Sequence, residues 1–147
     1  MKAILICLLI GFTLSYNTSG AINYARKYCK NYNSKYNNYA GSGGDSANFI
    51  SQCMHEGGGQ SLSNCKVDRK GMIIDIASLK NCLKEKGWKG YLNRPNSFKV
   101  GYPIFLKDSS HAMLATGISG NTIYYCSHNN DRCDYTINAD QVEFWSL

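Results

Sequence analysis

The chain has 147 residues, enough for one domain with a buried core. The 16 Lys and Arg residues outnumber the 10 Asp and Glu residues, which gives a formal charge of +6, and the basic residues are scattered instead of gathered in blocks. This pattern favours anionic partners such as bacterial surfaces, and we expect no nucleic-acid partner.

The N-terminus has the pattern of an export signal. After Lys2, residues 3–14 carry no charge, and small residues follow at a spacing typical of a cleavage site. We therefore predict a signal peptide over residues 1–15 and a single secreted domain over residues 16–147. The apolar run is shorter than the roughly 20 residues that span a bilayer, so we expect no membrane anchor and a final location outside the cell or in a vesicle lumen.

Amphipathic periodicity predicts three helices, over residues 21–32, 45–56 and 75–86. A loop rich in Asn, Ser and Gly connects the first two, and glycines follow the second and third as stop signals. The first half of the chain is therefore predicted to be helical.

The second half has the residue types of β-strands. Trp88 and Tyr91 are predicted core aromatics, and Ser119-Gly120-Asn121 is a hairpin signal. Helices followed by an antiparallel sheet predict an α+β fold, with the N-terminal helices packed on the sheet. The predicted strands lie near residues 100–105, 111–118, 122–126, 135–137 and 142–145.

Six cysteines remain after the predicted signal peptide, and an even number in an oxidising compartment indicates up to three disulfides. Among the possible pairings, the sequence favours only the short loop from Cys126 to Cys133. The group around Cys53 and His55 lacks the spacing of known zinc sites, so we expect no metal and no cofactor. The cysteines are Cys29, Cys53, Cys65, Cys82, Cys126 and Cys133.

The hairpin signal allows two registers, which differ in the residue that lies opposite His111. A loop of Ser119 and Gly120 places His128 across from His111, and a loop of Gly120 and Asn121 places Asn130 there. Either partner is polar and within reach of a cross-strand neighbour. This pattern is typical of a general base and the group that orients it.

Ser46 follows Gly43-Gly44-Asp45 at the start of the second predicted helix. Backbone N–H groups and the helix dipole stabilise negative charge there, so Ser46 is a candidate nucleophile. Taken alone, however, Asp45 and Ser46 are ordinary helix-capping residues. His111 could equally be a half-buried strand-end residue, and His128 a solvated loop residue.

Two segments resemble the amidase domain found in many secreted bacterial proteins. They are YARKYCKNYNSKYNNYAGSGGDSANFISQCMHEGGG and GYPIFLKDSSHAMLATGISGNTIYYCSHNNDR. The resemblance implies a papain-like fold, shared with NlpC-type and CHAP cell-wall peptidases. It also implies hydrolysis of an amide bond, with peptidoglycan peptides as the expected ligands and no cofactor or metal.

The resemblance assigns the nucleophile position to Ser46 and the base to His111. The orienting residue is His128 or, as the less favoured alternative, Asn130. The family pattern has cysteine where this chain has Ser46, and Gly-Asp where it has Gly101-Tyr102.

A serine hydroxyl cannot be ionised in advance as a thiol can, so it must lose its proton during attack. We therefore expect a binding module that keeps the cleft without turnover. The alternative is an active hydrolase that uses Ser46, His111 and His128.

Overall fold

The computed structural model describes residues 15–147, so the predicted signal peptide lies, except for Ser15, outside the described residues. The described part of the chain has an α+β architecture, as predicted, with helices on an antiparallel sheet. The helices are α1 (Thr18–Tyr28), α2 (Ser46–Gln52) and α3 (Ile76–Glu85), with a π-type turn at Cys53–Gly57 and a 3-10 turn at Ala139–Gln141. The strands are β1 (Lys89–Tyr91), β2 (Pro103–Leu106), β3 (Ala112–Ser119), β4 (Thr122–Ser127), β5 (Arg132–Asn138) and β6 (Val142–Ser146).

Each predicted helix is present, and the boundaries differ by a few residues. Helix α1 begins earlier than predicted because the Asn17 side chain caps it, accepting the Gly20 N–H at 2.9 Å. Asp75 caps α3 in the same way through the Ser78 N–H at 2.8 Å. Helix α2 continues directly into the π-type turn.

Helix α1 packs closely against the π-type turn. A Cβ atom at Gly20 would overlap the Gly57 carbonyl, and one at Gly57 would overlap the backbone of α1. The two backbones therefore touch because both positions lack a side chain. Ala21 and Ala25 on the same helix are completely buried.

The sheet has the order β1-β6-β2-β3-β4-β5, and its neighbouring strands are antiparallel. Helices α1 and α2 contact the central strands β3 and β4. Strand β1 was not predicted, because three residues are too few to show alternation. Trp88, which precedes it, is buried as predicted, and Tyr91 within it is partly buried.

The β3–β4 hairpin follows the second predicted register near its turn and neither register further away. Ser119 pairs with Thr122, so Gly120 and Asn121 form the loop. A bulge between Ala115 and Gly117 then shifts the pairing by one residue, and Leu114 pairs with Cys126. His111 and the candidate partners His128 and Asn130 lie outside the paired parts of the two strands, so neither predicted pairing of His111 is present.

The number of disulfides lies within the predicted maximum of three, and the predicted Cys126–Cys133 pairing was wrong. The described residues form two disulfides, Cys29–Cys133 and Cys65–Cys82. The predicted partner of Cys133, Cys126, is instead a buried free thiol, as is Cys53. The packing of α1 beside β5 brings Cys29 within reach of Cys133, and sequence separation gave no sign of that contact.

Candidate active site

Ser46 is the first residue of α2, and its side chain is almost completely buried. Its Oγ accepts a hydrogen bond from the Ala112 N–H at 3.3 Å. Ala112 follows His111 directly, so this bond holds the start of α2 against the start of β3. The two residues predicted as nucleophile and base are thereby brought to the same junction.

Asp45, immediately before Ser46, does not cap the helix with its side chain. Its carboxylate accepts the Tyr39 N–H at 2.8 Å through Oδ1 and lies 2.5 Å from His128 Nδ1 through Oδ2. The other ring nitrogen of His128, Nε2, lies 2.8 Å from the Tyr28 carbonyl oxygen. Both ring nitrogens of His128 are therefore engaged, and neither bonds to His111.

The hydrogen-bond chemistry fixes the protons of this pair. A carbonyl oxygen only accepts, so Nε2 carries a proton towards Tyr28. A bare Nδ1 facing an ionised carboxylate would place two acceptors together, so a second proton lies between Nδ1 of His128 and Asp45. The ring is stacked between Tyr32 and Phe49, with centroid distances of 4.0 and 3.8 Å. Asp45 and His128 thus form a buried hydrogen-bonded pair beside Ser46.

His111 lies just before β3 and is partly buried. Its ring makes no hydrogen bond to another described residue, although its backbone carbonyl accepts the Leu106 N–H at 3.0 Å. Burial, assisted by the positive charge of Arg132, lowers the pKa of His111 from its ordinary value of 6.5. The imidazole is therefore neutral at neutral pH, which is the state that can accept a proton.

Asn129 is the polar residue that connects the two halves of the site. Its Oδ1 accepts the Asp45 N–H at 3.0 Å. It lines both a cavity of about 280 Å³ that contains Ser46 and a neighbouring cavity of about 340 Å³ that contains His111. The sequence pattern indicated His128 and Asn130 but not Asn129 between them, because neither predicted hairpin register includes the bulge in β3.

The turn that presents Asn129 is unusual in its backbone. Asn129, Asn130 and Asp131 have φ values of 66°, 74° and 43°. Asn and Asp tolerate this left-handed region better than most residues, so the Asn-Asn-Asp run was an available signal for a tight turn here. Asn130 is exposed and lines the His111 cavity.

The other polar residues of α2 support the site instead of lining it. Asn48 and Gln52 are buried and joined by a 2.8 Å hydrogen bond, and Asn48 Nδ2 donates to the Ile73 carbonyl at 2.9 Å. Ser51 Oγ accepts the Ile73 N–H at 3.1 Å. This network fastens the segment before α3 to α2.

Residues 15–147 contain no group of three His, Cys, Asp or Glu side chains arranged to hold a metal ion. No helix in the same range is long and apolar enough to cross a membrane. Two larger cavities, of about 530 and 430 Å³, are lined by neither Ser46 nor His111.

The structure is an α+β domain in which a serine at a helix start lies beside a histidine at a strand start. A family model described as "Putative amidase domain" matches residues 15–102, and the chain belongs to this family. The match includes the segment around Ser46 and ends before His111. No curated protein and no solved structure matches the chain. The papain-like relationship therefore stays a prediction.

Proposed function

We propose that this protein binds amide groups of bacterial cell-wall peptides outside the cell and does not hydrolyse them. The observation that carries the proposal is the environment of Ser46. Its Oγ is held by the Ala112 N–H at the junction with His111, and none of the described residues accepts its hydroxyl proton. The position suits a ligand carbonyl beside a helix start, and it lacks a base in contact with the nucleophile.

The loss of turnover follows from the chemistry of a hydroxyl. A cysteine here would be used as a thiolate, favoured by the helix start and a neighbouring imidazole. A serine needs a base that removes its proton during attack, and that base needs a group to orient it. His128, the proposed orienting residue, instead has both ring nitrogens bonded to Asp45 and Tyr28.

An active serine hydrolase is the second candidate, and one observation favours it. The lowered pKa of His111 leaves its imidazole neutral and able to act as a base. In this candidate function, His111 would turn towards Ser46 when an amide ligand fills the cleft, and Asn129 would be available to orient it.

Export is part of the proposal. The uncharged run after Lys2 and the two disulfides both support a location in an oxidising compartment. Such a location would give the protein access to cell-wall peptides.

Hydrolysis by the native protein and by Ser46→Cys and Ser46→Ala variants tests the proposal. Purified peptidoglycan and peptide anilides serve as substrates, and calorimetry measures the binding of acetylated alanine tripeptides. We expect the native protein to bind without turnover and Ser46→Cys to gain hydrolysis, because a thiol restores an ionisable nucleophile. Ser46→Ala is the matched control, since it removes the nucleophile atom alone.

Turnover by the native protein that is lost in Ser46→Ala would establish the serine hydrolase instead. A native protein that neither binds these peptides nor hydrolyses them would contradict both functions.

A further inference from the structure

We propose that Arg132 binds a carboxylate of the amide ligand, which makes anionic peptides the preferred ligands of this cleft. This inference rests on the proposed amide-binding function. It concerns the cavity of about 340 Å³ beside His111, in which Arg132 is the one charged residue of the lining. The remaining lining is neutral, so the cavity has a net positive character.

The guanidinium of Arg132 is held in place and still has free donors. Its Nη1 donates to the Tyr125 hydroxyl at 3.0 Å, and its central carbon lies 4.9 Å from the centroid of the Tyr135 ring. A guanidinium has five N–H donors in a planar fork that matches a carboxylate. The bond to Tyr125 is the one side-chain hydrogen bond that Arg132 makes to a described residue. Most of its N–H donors are therefore available to a ligand.

The acidic residues nearest to Arg132 in sequence bind other groups. Asp131 Oδ1 accepts the Tyr32 hydroxyl at 2.7 Å. Asp134 forms an ion pair with Arg26 at 3.1 Å and accepts the Thr116 hydroxyl at 2.6 Å. No carboxylate of the described residues forms an ion pair with Arg132. Its charge is thus left for a group from outside the chain.

The position of Arg132 relative to Ser46 defines where the ligand carboxylate lies. Asn129 lines the Arg132 cavity and also the Ser46 cavity, so the two cavities adjoin. An amide placed at Ser46 would extend past Asn129 towards Arg132. The ligand carboxylate would therefore lie on the Asn129 side of the bound amide, either as a side chain or as the chain terminus.

The charge of His111 responds to the same guanidinium. Arg132 contributes to the lowered pKa of His111. A bound carboxylate would offset this positive charge and make protonation of the imidazole more favourable. Ligand charge and the basicity of His111 are therefore coupled through Arg132.

Calorimetric binding of two matched peptide pairs tests this inference. One pair is acetyl-trialanine with a free terminal carboxylate and its terminal amide. The other is acetyl-Ala-Glu-Ala-amide and acetyl-Ala-Gln-Ala-amide. We expect the native protein to bind the carboxylate member of at least one pair about tenfold more tightly, the usual effect of a hydrogen bond to a charged group. The pair that shows the preference identifies the carboxylate as terminal or side chain.

Arg132→Gln should abolish the preference while retaining binding of the neutral peptides, and Arg132→Lys should keep part of it. Arg94→Gln is the matched control, because it removes an exposed arginine outside the two cavities and should keep the full preference. Circular dichroism confirms that each variant is folded.

Equal binding of charged and neutral peptides by the native protein, or a preference that persists in Arg132→Gln, would overturn the inference and leave the amide-binding function intact. If neither member of either pair binds to the native protein, the proposed function fails together with the inference.

Discussion

His128 and Asp45 form a hydrogen-bonded pair that stabilises the candidate site next to Ser46. The pair is completely buried, and its members come from sequence positions 83 residues apart. It joins the residue before Ser46 to the strand that leads to Asn129. The sequence pattern indicated His128 as a residue that orients the catalytic base. In the structure its ring instead bonds to Asp45 and supports the start of α2.

Removing His128 should therefore reduce stability strongly. We expect His128→Phe, which keeps an aromatic ring between Tyr32 and Phe49, to cost about 3–5 kcal/mol, because it leaves the Asp45 carboxylate buried and unpaired. Urea denaturation measures this loss.

Two further variants isolate the cause. Adding Asp45→Asn to His128→Phe should recover part of the stability, since the unpaired charge is then gone. His55→Ala is the control histidine, because it is exposed, and should cost less than about 1 kcal/mol. A loss for His128→Phe as small as that of the control would show that Asp45 and His128 do not form a charged pair.

The loop before α2 is the element that positions both Ser46 and Asn129. Gly43 and Gly44 have φ values of 91° and 106°, a region that other residues rarely adopt. A Cβ on Gly44 would also lie 2.6 Å from Asn129 Nδ2, whereas one on Gly43 would meet nothing within 4 Å. Both positions need glycine for their backbone conformation. Only Gly44 also needs it for space, because a side chain there would overlap Asn129.

These neighbouring glycines form a matched pair of tests. Gly43→Ala should cost about 1–2 kcal/mol through its backbone conformation alone. Gly44→Ala should cost roughly 1 kcal/mol more, because Asn129 must move and its hydrogen bond to the Asp45 N–H is lost. Chemical denaturation of the two variants compares them directly. An equal cost would mean that Asn129 is free to move away.

The elements also show what sequence patterns can and cannot supply. Helical periodicity, with glycine stop signals after the second and third helices, predicted α1, α2 and α3, because those signals are local. The pairing of β3 with β4 away from the turn could not be predicted, because a bulge in β3 shifts those pairs by one position. The same limit applies to Arg132. Its proposed role depends on whether the neighbouring carboxylates already bind other residues, which is a property of the folded structure.

At the scale of the whole molecule, the Cys29–Cys133 disulfide joins the first helix to the fifth strand. It closes a span of 104 residues, against 17 for Cys65–Cys82. In the chain-entropy account, a loop of that length contributes about 4.7 kcal/mol and the shorter one about 3 kcal/mol. Replacing each disulfide by a pair of serines should therefore lower the free energy of unfolding by different amounts.

We expect loss of Cys29–Cys133 to reduce stability more and also to weaken peptide binding, because its cysteines adjoin Tyr28 and Arg132 in sequence. Loss of Cys65–Cys82 should reduce stability while the affinity is retained. Denaturation and calorimetry on the two serine-pair variants measure both quantities. Equal affinities in the two variants would show that the Cys29–Cys133 disulfide does not affect peptide binding.

One consequence of the Cys29–Cys133 bond concerns when the site comes into existence. Tyr28, whose carbonyl oxygen accepts a hydrogen bond from His128 Nε2, precedes one cysteine, and Arg132 precedes the other. A newly made chain with both thiols reduced would carry every residue of the cleft without the link that holds them together. We expect the cleft to bind peptides weakly before oxidation and at full affinity after it, so that the proposed binding function would depend on an oxidising compartment.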